Sequence, residues 1–520
     1  MADDSEIIKF FTNKSVFLTG GTGFLGKLTL ERLLRVCRVK CIYMLVRPKK
    51  GKTEEERFSE IFGLEIFQRL RDECPDFTQH IKLIAGDCAA RNLAISKSDW
   101  KLLYDEVEVV IHCAATVRFD QDFRTAYYIN IRSVKDLMTN ARKMRKLQSF
   151  IHVSTAFSNC QQKVIEEKVY KPPMTAEQMD TFMSTFPDDE FISRIEKSIL
   201  GDIPNTYTYT KCVAEELVQR LATDPECPLP VAIVRPSMIL STYKEPIPGW
   251  VDNVYGPLGV TFSVGVGLMR TLHCAPDNKA DMVPVDYVVN SLLAVAYETA
   301  NRGRDLQKSQ QIQNVQNKIE KNDEFNFDVY NYTSWNHSID WKTYMDLNHR
   351  EGDIIVPIII MWKPMIYLNK HLWLHNICWF LIHTIPAYIA DGVLLALGKK
   401  PLLIEGYKKL DKFAQVISFF SVREWKMPHR KILNLYDKLN GADKQMFELR
   451  MSTFDWPKFA KDYMIGGRVY LLKEPLTNLE AARKRYRWIL AAYYGLYAIA
   501  IMIGLFLLNW FMSLFGLNLF

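Results

Sequence analysis

The chain has 520 residues, 48% of them apolar, with a formal net charge of +7. That length exceeds what one hydrophobic core supports, so two or three domains are expected. No Lys/Arg run interleaved with aromatics is present, which argues against nucleic acid as a partner; the slight basic excess suits an anionic ligand or a membrane surface. The ten cysteines show no CxxC and no zinc-like spacing. The start, Met1-Ala2-Asp3-Asp4-Ser5-Glu6, lacks the basic and apolar regions of a signal peptide. A reducing cytosolic setting with free thiols and no metal is expected.

Residues 1–13 read as a tail. From 14 to about 300, apolar strand candidates at 16–19, 41–46, 81–85, 107–113, 149–153 and 231–234 alternate with helical patterns. In 24–36, for example, Leu25, Leu28, Leu30, Leu33 and Leu34 recur at roughly helical spacing. Continuously apolar strands alternating with helices predict an α/β fold with a parallel sheet covered on both faces.

Thr19-Gly20-Gly21-Thr22-Gly23-Phe24-Leu25-Gly26 follows the first strand and opens the first helix. Gly20 permits a tight turn, Gly23 a close approach of backbone to pyrophosphate, and Gly26 close helix–sheet packing. The helix N-terminus then receives the phosphates. This is the pattern of a Rossmann-type, doubly wound dinucleotide fold. Arg47 ends the second strand where an NAD-selective fold carries an acid, and Lys49 and Lys50 follow, which favours NADPH. Asp87 ends the third strand, to accept from adenine or cap a turn. Ala114, after His112-Cys113, is small enough for the cofactor to lie against; His112 reads as structural and Cys113 as filler.

A polar, Pro-containing insertion at 161–204 precedes Tyr207-Thr208-Tyr209-Thr210-Lys211. Tyr207 and Lys211 share a helix face. A neighbouring ammonium lowers the pKa of a phenol, ordinarily about 10, and so suits it to proton exchange with a carbonyl; the same Lys211 can hold the nicotinamide ribose. Thr155, with Ser154 as second choice, ends the fifth strand and can bond the substrate carbonyl. Pro236 ends the sixth and stiffens the wall near the nicotinamide. A second insertion, 246–267, is dense in Gly and Pro.

Residues 301–355 read as linker and substrate-domain segment, and 356–470 as a helical, aromatic domain. Within it, 371–397 is apolar but holds His371, His375, His383, Pro386 and Asp391, predicting a buried or interfacial helix pair. A basic segment, 471–487, ends in Arg483, Lys484, Arg485 and Arg487. From 488 to 520 no residue is charged, which predicts a transmembrane anchor spanning about 489–508 with its basic flank in the cytosol; a buried hairpin is the alternative.

Together these residues resemble an extended short-chain dehydrogenase/reductase. More closely, the chain is similar to the insect-like fatty acyl-CoA reductases over nearly its whole length. The similarity lies in 15–26, His152-Val153-Ser154-Thr155-Ala156, 164–170, 205–211, 248–253, 280–286, Phe420 and Glu424-Trp425-Lys426. Departures are Ser133 after Asn130-Ile131-Arg132, bulky residues in 259–265, and no Pro in 334–337. The resemblance implies NADPH-dependent reduction of long-chain acyl-CoA to fatty alcohol through a held aldehyde, at a lipid bilayer of the endoplasmic reticulum or peroxisome. Competing readings are a membrane-bound sterol or hydroxysteroid dehydrogenase, a reductase stopping at the aldehyde, and a silent lipid-binding scaffold.

Overall fold

The computed structural model describes residues 4–48, 51–313 and 326–514. Lys49, Lys50, the 314–325 portion of the polar stretch and the 515–520 end of the anchor lie outside the described residues. Seven strands form one parallel sheet: β1 (Ser15–Thr19), β2 (Cys41–Val46), β3 (Ile81–Ala85), β4 (Val109–His112), β5 (Ser149–Val153), β6 (Val231–Pro236) and β7 (Phe327–Tyr332). Their order is β7-β6-β5-β4-β1-β2-β3. β1, β4, β5 and β6 are buried along their entire length, which is why they read as unbroken apolar runs. The strand order reverses between β1 and β4, where Thr19 and His112 are register partners. Ligands of doubly wound sheets bind beyond the carboxyl ends of the strands at this point.

All six expected strands are present. The seventh falls in the stretch read as linker. Asp328 and Asn331 interrupt its apolar pattern, and pairing of the whole strand with β6 defines it. Asp328 is met by Arg302 at 3.0 Å and by Lys431.

The chain divides into two compact units, each built from three segments: 1–248, 279–339 and 424–454 in the first, and 249–278, 340–423 and 455–520 in the second. The sequential division at about 300 and 356 is therefore corrected. The described part of the expected tail, residues 4–13, is folded as well. They hold the helix Glu6–Phe11, with Ile7 and Phe11 fully buried, and the Ile7 amide donates to Asp443 at 3.2 Å. Trp425, also in the first unit, donates its indole N–H to the Cys160 carbonyl at 2.8 Å. The 161–204 insertion forms two helices, Ala176–Thr185 and Asp189–Leu200, whose Met179, Met183 and Ile192 enter the first unit's core.

In the second unit the Gly/Pro-rich insertion contains a helix, Pro257–Gly265, with Pro at its start. Thr261 on that helix and Tyr344 on the helix Trp341–Ile354 bond at 3.1 Å. The expected pair at 371–397 is instead one helical rod, Leu372–Ala396, with a π turn over Phe380–Thr384. It is not buried: Leu372, Trp373, Phe380, Leu381, Tyr388 and Ile389 are all more than half exposed. His375, His383 and Asp391 turn inward. His383 accepts from the Arg270 amide at 3.1 Å, and Asp391 caps the helix Leu403–Ser421 by accepting from the amides of Leu402, Leu403 and Ile404 at 2.9–3.0 Å.

The last helix, Leu479–Leu514, has 36 residues and extends about 54 Å. Its first turns are pinned, the Tyr486 hydroxyl donating to Asp353 at 2.8 Å. From Trp488, itself 72% exposed, the helix presents apolar side chains outward; it is a single rod and not a buried hairpin. This helix and Leu372–Ala396 are both long and apolar enough to cross a membrane.

Candidate active site

Every catalytic and cofactor residue expected from the sequence lies in the first unit. Gly20 has φ +75°, and a Cβ there would stand 2.6 Å from the Ala114 amide nitrogen; a Cβ on Gly26 would run into the Gly20 carbonyl. Gly23 caps the helix Phe24–Arg35, and its amide donates to the Gly20 carbonyl at 2.9 Å. The result is a side-chain-free cradle over a helix N-terminus, which fits a pyrophosphate. Thr19 Oγ1 bonds His112 Nδ1 at 2.7 Å and accepts from the Ala114 amide at 3.3 Å, joining the ends of β1 and β4.

Arg47 and Asp87, at the ends of β2 and β3, form an ion pair at 3.2 Å. Asp87 also accepts from the Ala89 amide at 2.9 Å, so it caps a turn. Arg47 keeps two-thirds of its side chain exposed.

Tyr207 and Lys211 lie in the first turns of the helix Thr206–Ala222, capped by Asn205, whose side chain accepts from the Thr208 amide at 2.9 Å. Half-buried Tyr207 has its hydroxyl beside that of Thr155. Burial pushes it up to about 12, the Thr155 bond working against that and the charge of Glu215 adding to it. Burial lowers Lys211 to about 8, opposed by Cys113 and Glu215. Its ammonium donates to the Val153 carbonyl at 2.6 Å. The expected lowering of Tyr207 by Lys211 is therefore not what this arrangement produces. Ser154 directs its hydroxyl to Glu215 at 2.5 Å, leaving Thr155 as the hydroxyl on the Tyr207 side. Pro236 is buried at the end of β6, its carbonyl accepting from the Ala156 amide at 2.9 Å.

His112 and His152 stack at 5.5 Å in full burial, which drives both imidazoles to low pKa, His112 to about 3; they are neutral packing elements. Burial raises the Cys113 thiol to about 12, far from a nucleophilic thiolate. Sequence reasoning missed two groups. Asn130 accepts from the Thr116 amide at 2.9 Å and donates to Thr210 at 2.9 Å, tying the loop after β4 to the Tyr207 helix. Glu215 lies eight residues after Tyr207 on the same face, a spacing that was visible but carried no signal without its partners.

The second unit holds an apolar cavity of about 330 Å³ lined by Val254, Leu268, Leu403, Tyr407, Leu410 and Phe413, with Gly406 in its wall.

The sheet, the cradle at its switch point and the Tyr–Lys–Thr cluster define a nicotinamide-dinucleotide-binding reductase. Residues 18–292 match a family model described as male sterility protein, and residues 382–474 match a second model of the same description. The chain is 35% identical over 498 residues to "Fatty acyl-CoA reductase wat" of Drosophila melanogaster, covering 96% of this chain and 92% of that protein. It is 34% identical over 511 residues to "Fatty acyl-CoA reductase 1" of Homo sapiens, with the same coverage. The chain belongs to the fatty acyl-CoA reductase family. Among solved structures it shares its fold with the terminal R domain from the myxalamid PKS-NRPS pathway (TM-score 0.55, 17% identity, 89% of this chain and 93% of that one). The R domain of a nonribosomal peptide synthetase from Mycobacterium tuberculosis also shares it (0.55, 18%, 90% and 97%).

Proposed function

We propose that this chain reduces a long-chain fatty acyl-CoA to the primary alcohol with NADPH. The observation that carries the reading is Lys211, one turn after Tyr207, fastened to the end of β5 beside Thr155, with the phosphate cradle in the same unit. Thr19, Gly20, Gly23, Phe24, Leu25, Gly26 and Ala114 would hold the dinucleotide, and the exposed Arg47 its 2′-phosphate. The cofactor supplies hydride, twice per substrate. Thr155 and Tyr207 donate hydrogen bonds to the thioester oxygen as it gains negative charge. Tyr207, protonated across the neutral range, passes its proton to that oxygen. The hemithioacetal then loses its hydroxyl proton, its C–S bond breaks, and CoA departs as the thiol. The aldehyde is held by the same two hydroxyls, and Tyr207, reprotonated, gives a second proton to its oxygen as the carbon takes the second hydride. Lys211 keeps positive charge beside the site. No covalent nucleophile is needed, in keeping with the protonated Cys113.

The cavity of the second unit offers a hydrocarbon surface suited to an acyl chain. Arg483, Lys484, Arg485 and Arg487 before the last apolar helix support a cytosolic orientation of the reductase unit, at a membrane we propose to be that of the endoplasmic reticulum or peroxisome. The test is NADPH oxidation by detergent-solubilised protein with palmitoyl-CoA, with products identified by mass. Alcohol at two NADPH each, abolished in Tyr207→Phe, supports the reading; aldehyde at one NADPH each overturns the alcohol step.

A further inference from the structure

Tyr207 and Lys211 are followed at helical spacing by Glu215, whose fully buried carboxylate gathers five hydrogen bonds. Oε1 accepts from Ser154 at 2.5 Å, Ser158 at 3.0 Å and Arg235 Nε at 2.8 Å; Oε2 accepts from Asn159 at 3.3 Å and Arg235 Nη2 at 2.7 Å. Arg235, equally buried, sends its guanidinium on to the carbonyls of Glu166 at 2.9 Å and Lys168 at 2.8 Å. One ion pair thus joins the Tyr207 helix, the turn after β5, the end of β6 and the start of the 161–204 insertion.

We infer that Glu215, seated by Arg235, is a positioning residue that holds the turn after β5 so that Thr155 stays against the Tyr207 hydroxyl; this rests on the proposed roles of Tyr207 and Thr155. A buried ion pair is a poor device for stability, since desolvation offsets its attraction and an apolar pair of similar volume often serves as well. What it supplies is direction. Glu215 draws the Ser154 hydroxyl to one side. The next residue of an extended chain points to the other, which turns Thr155 toward Tyr207. The Phe157 amide then donates to Thr155 Oγ1 at 3.3 Å and fixes its rotamer.

The test uses the full-length protein in detergent, with palmitoyl-CoA kinetics, NADPH binding by fluorescence and thermal melting. Glu215→Gln is expected to lower kcat at least tenfold while the NADPH Kd stays within twofold. Glu215→Met/Arg235→Met is expected to melt near the wild type yet remain as slow. If Glu215 acts through Thr155, adding Glu215→Gln to Thr155→Ala lowers kcat by less than a further twofold. Should Glu215→Gln not fold, Ser158→Ala, which removes one donor and leaves the pair, is expected to show the same loss of effect on Thr155→Ala. Multiplicative losses in the double variant, or full kcat in the apolar pair, overturn the inference. Full activity of both Tyr207→Phe and Thr155→Ala overturns the catalytic assignment itself, a separate result.

Discussion

The Lys211 ammonium donates to the Val153 carbonyl at 2.6 Å, so the cation of the site is fastened to the end of β5. With Lys211 lowered to about 8, kcat/KM is expected to fall as pH rises through 8, because the charge is lost while Tyr207 stays protonated. Stability should move the opposite way. The folded value lies below the unfolded value of about 10.4, so the unfolded chain binds more protons between the two and the Lys211 contribution to stability rises with pH across that window. A pH series of kcat/KM and of melting temperature, with Lys211→Met as control, checks both; a flat kcat/KM from pH 7 to 10 refutes the assignment.

Gly20→Ala is expected to abolish NADPH binding and destabilise the first unit by more than about 1 kcal/mol, since φ is +75° and the new methyl meets the Ala114 backbone. Fluorescence titration and thermal melting measure the two effects. Wild-type NADPH affinity in this variant would contradict the cradle.

Arg47→Ala should raise the KM for NADPH tenfold or more and leave that for NADH within twofold, narrowing the preference between them. Asp87→Asn, which frees Arg47 from its ion pair, should move NADPH affinity the other way or not at all. Equal effects on both cofactors would remove Arg47 from 2′-phosphate recognition.

Gly406 has nothing within 4 Å of the Cβ position and lies on the helix beside the apolar cavity. Gly406→Leu should therefore fold normally and fill the cavity. The expected outcome is a shift of kcat/KM toward shorter acyl-CoA, each methylene expelled from contact costing about fourfold. An unchanged chain-length profile would mean that the cavity does not take the chain.

A chain ended after Arg487 keeps the Tyr486–Asp353 contact and loses the exposed apolar rod. It should still sediment with membranes, because Leu372–Ala396 also presents an apolar surface. Complete release to the supernatant would show that this second helix does not engage lipid.

The sequence by itself determined six strands of the sheet and the glycine turn after the first. Buried parallel strands must be apolar throughout, and a backbone that turns beneath a pyrophosphate must carry glycine at fixed offsets, so β1 to β6 and Gly20, Gly23 and Gly26 were legible as local patterns. Helical spacing likewise put Tyr207 and Lys211 on one face. Tertiary structure alone decided what depended on partners distant in sequence. β7 exists because β6 offers it an edge. The helix Glu6–Phe11 is held because Asp443 accepts from its Ile7 amide, and 371–397 became one exposed rod because His383 and Asp391 found partners inside the second unit. The different partners of Ser154 and Thr155 were decided the same way: two adjacent hydroxyls are equivalent in a sequence, and Glu215, 61 residues after Ser154, accepts from one of them. Local periodicity records which face is buried, whereas the direction of a buried hydrogen bond is fixed only when the chain brings its donor and acceptor together.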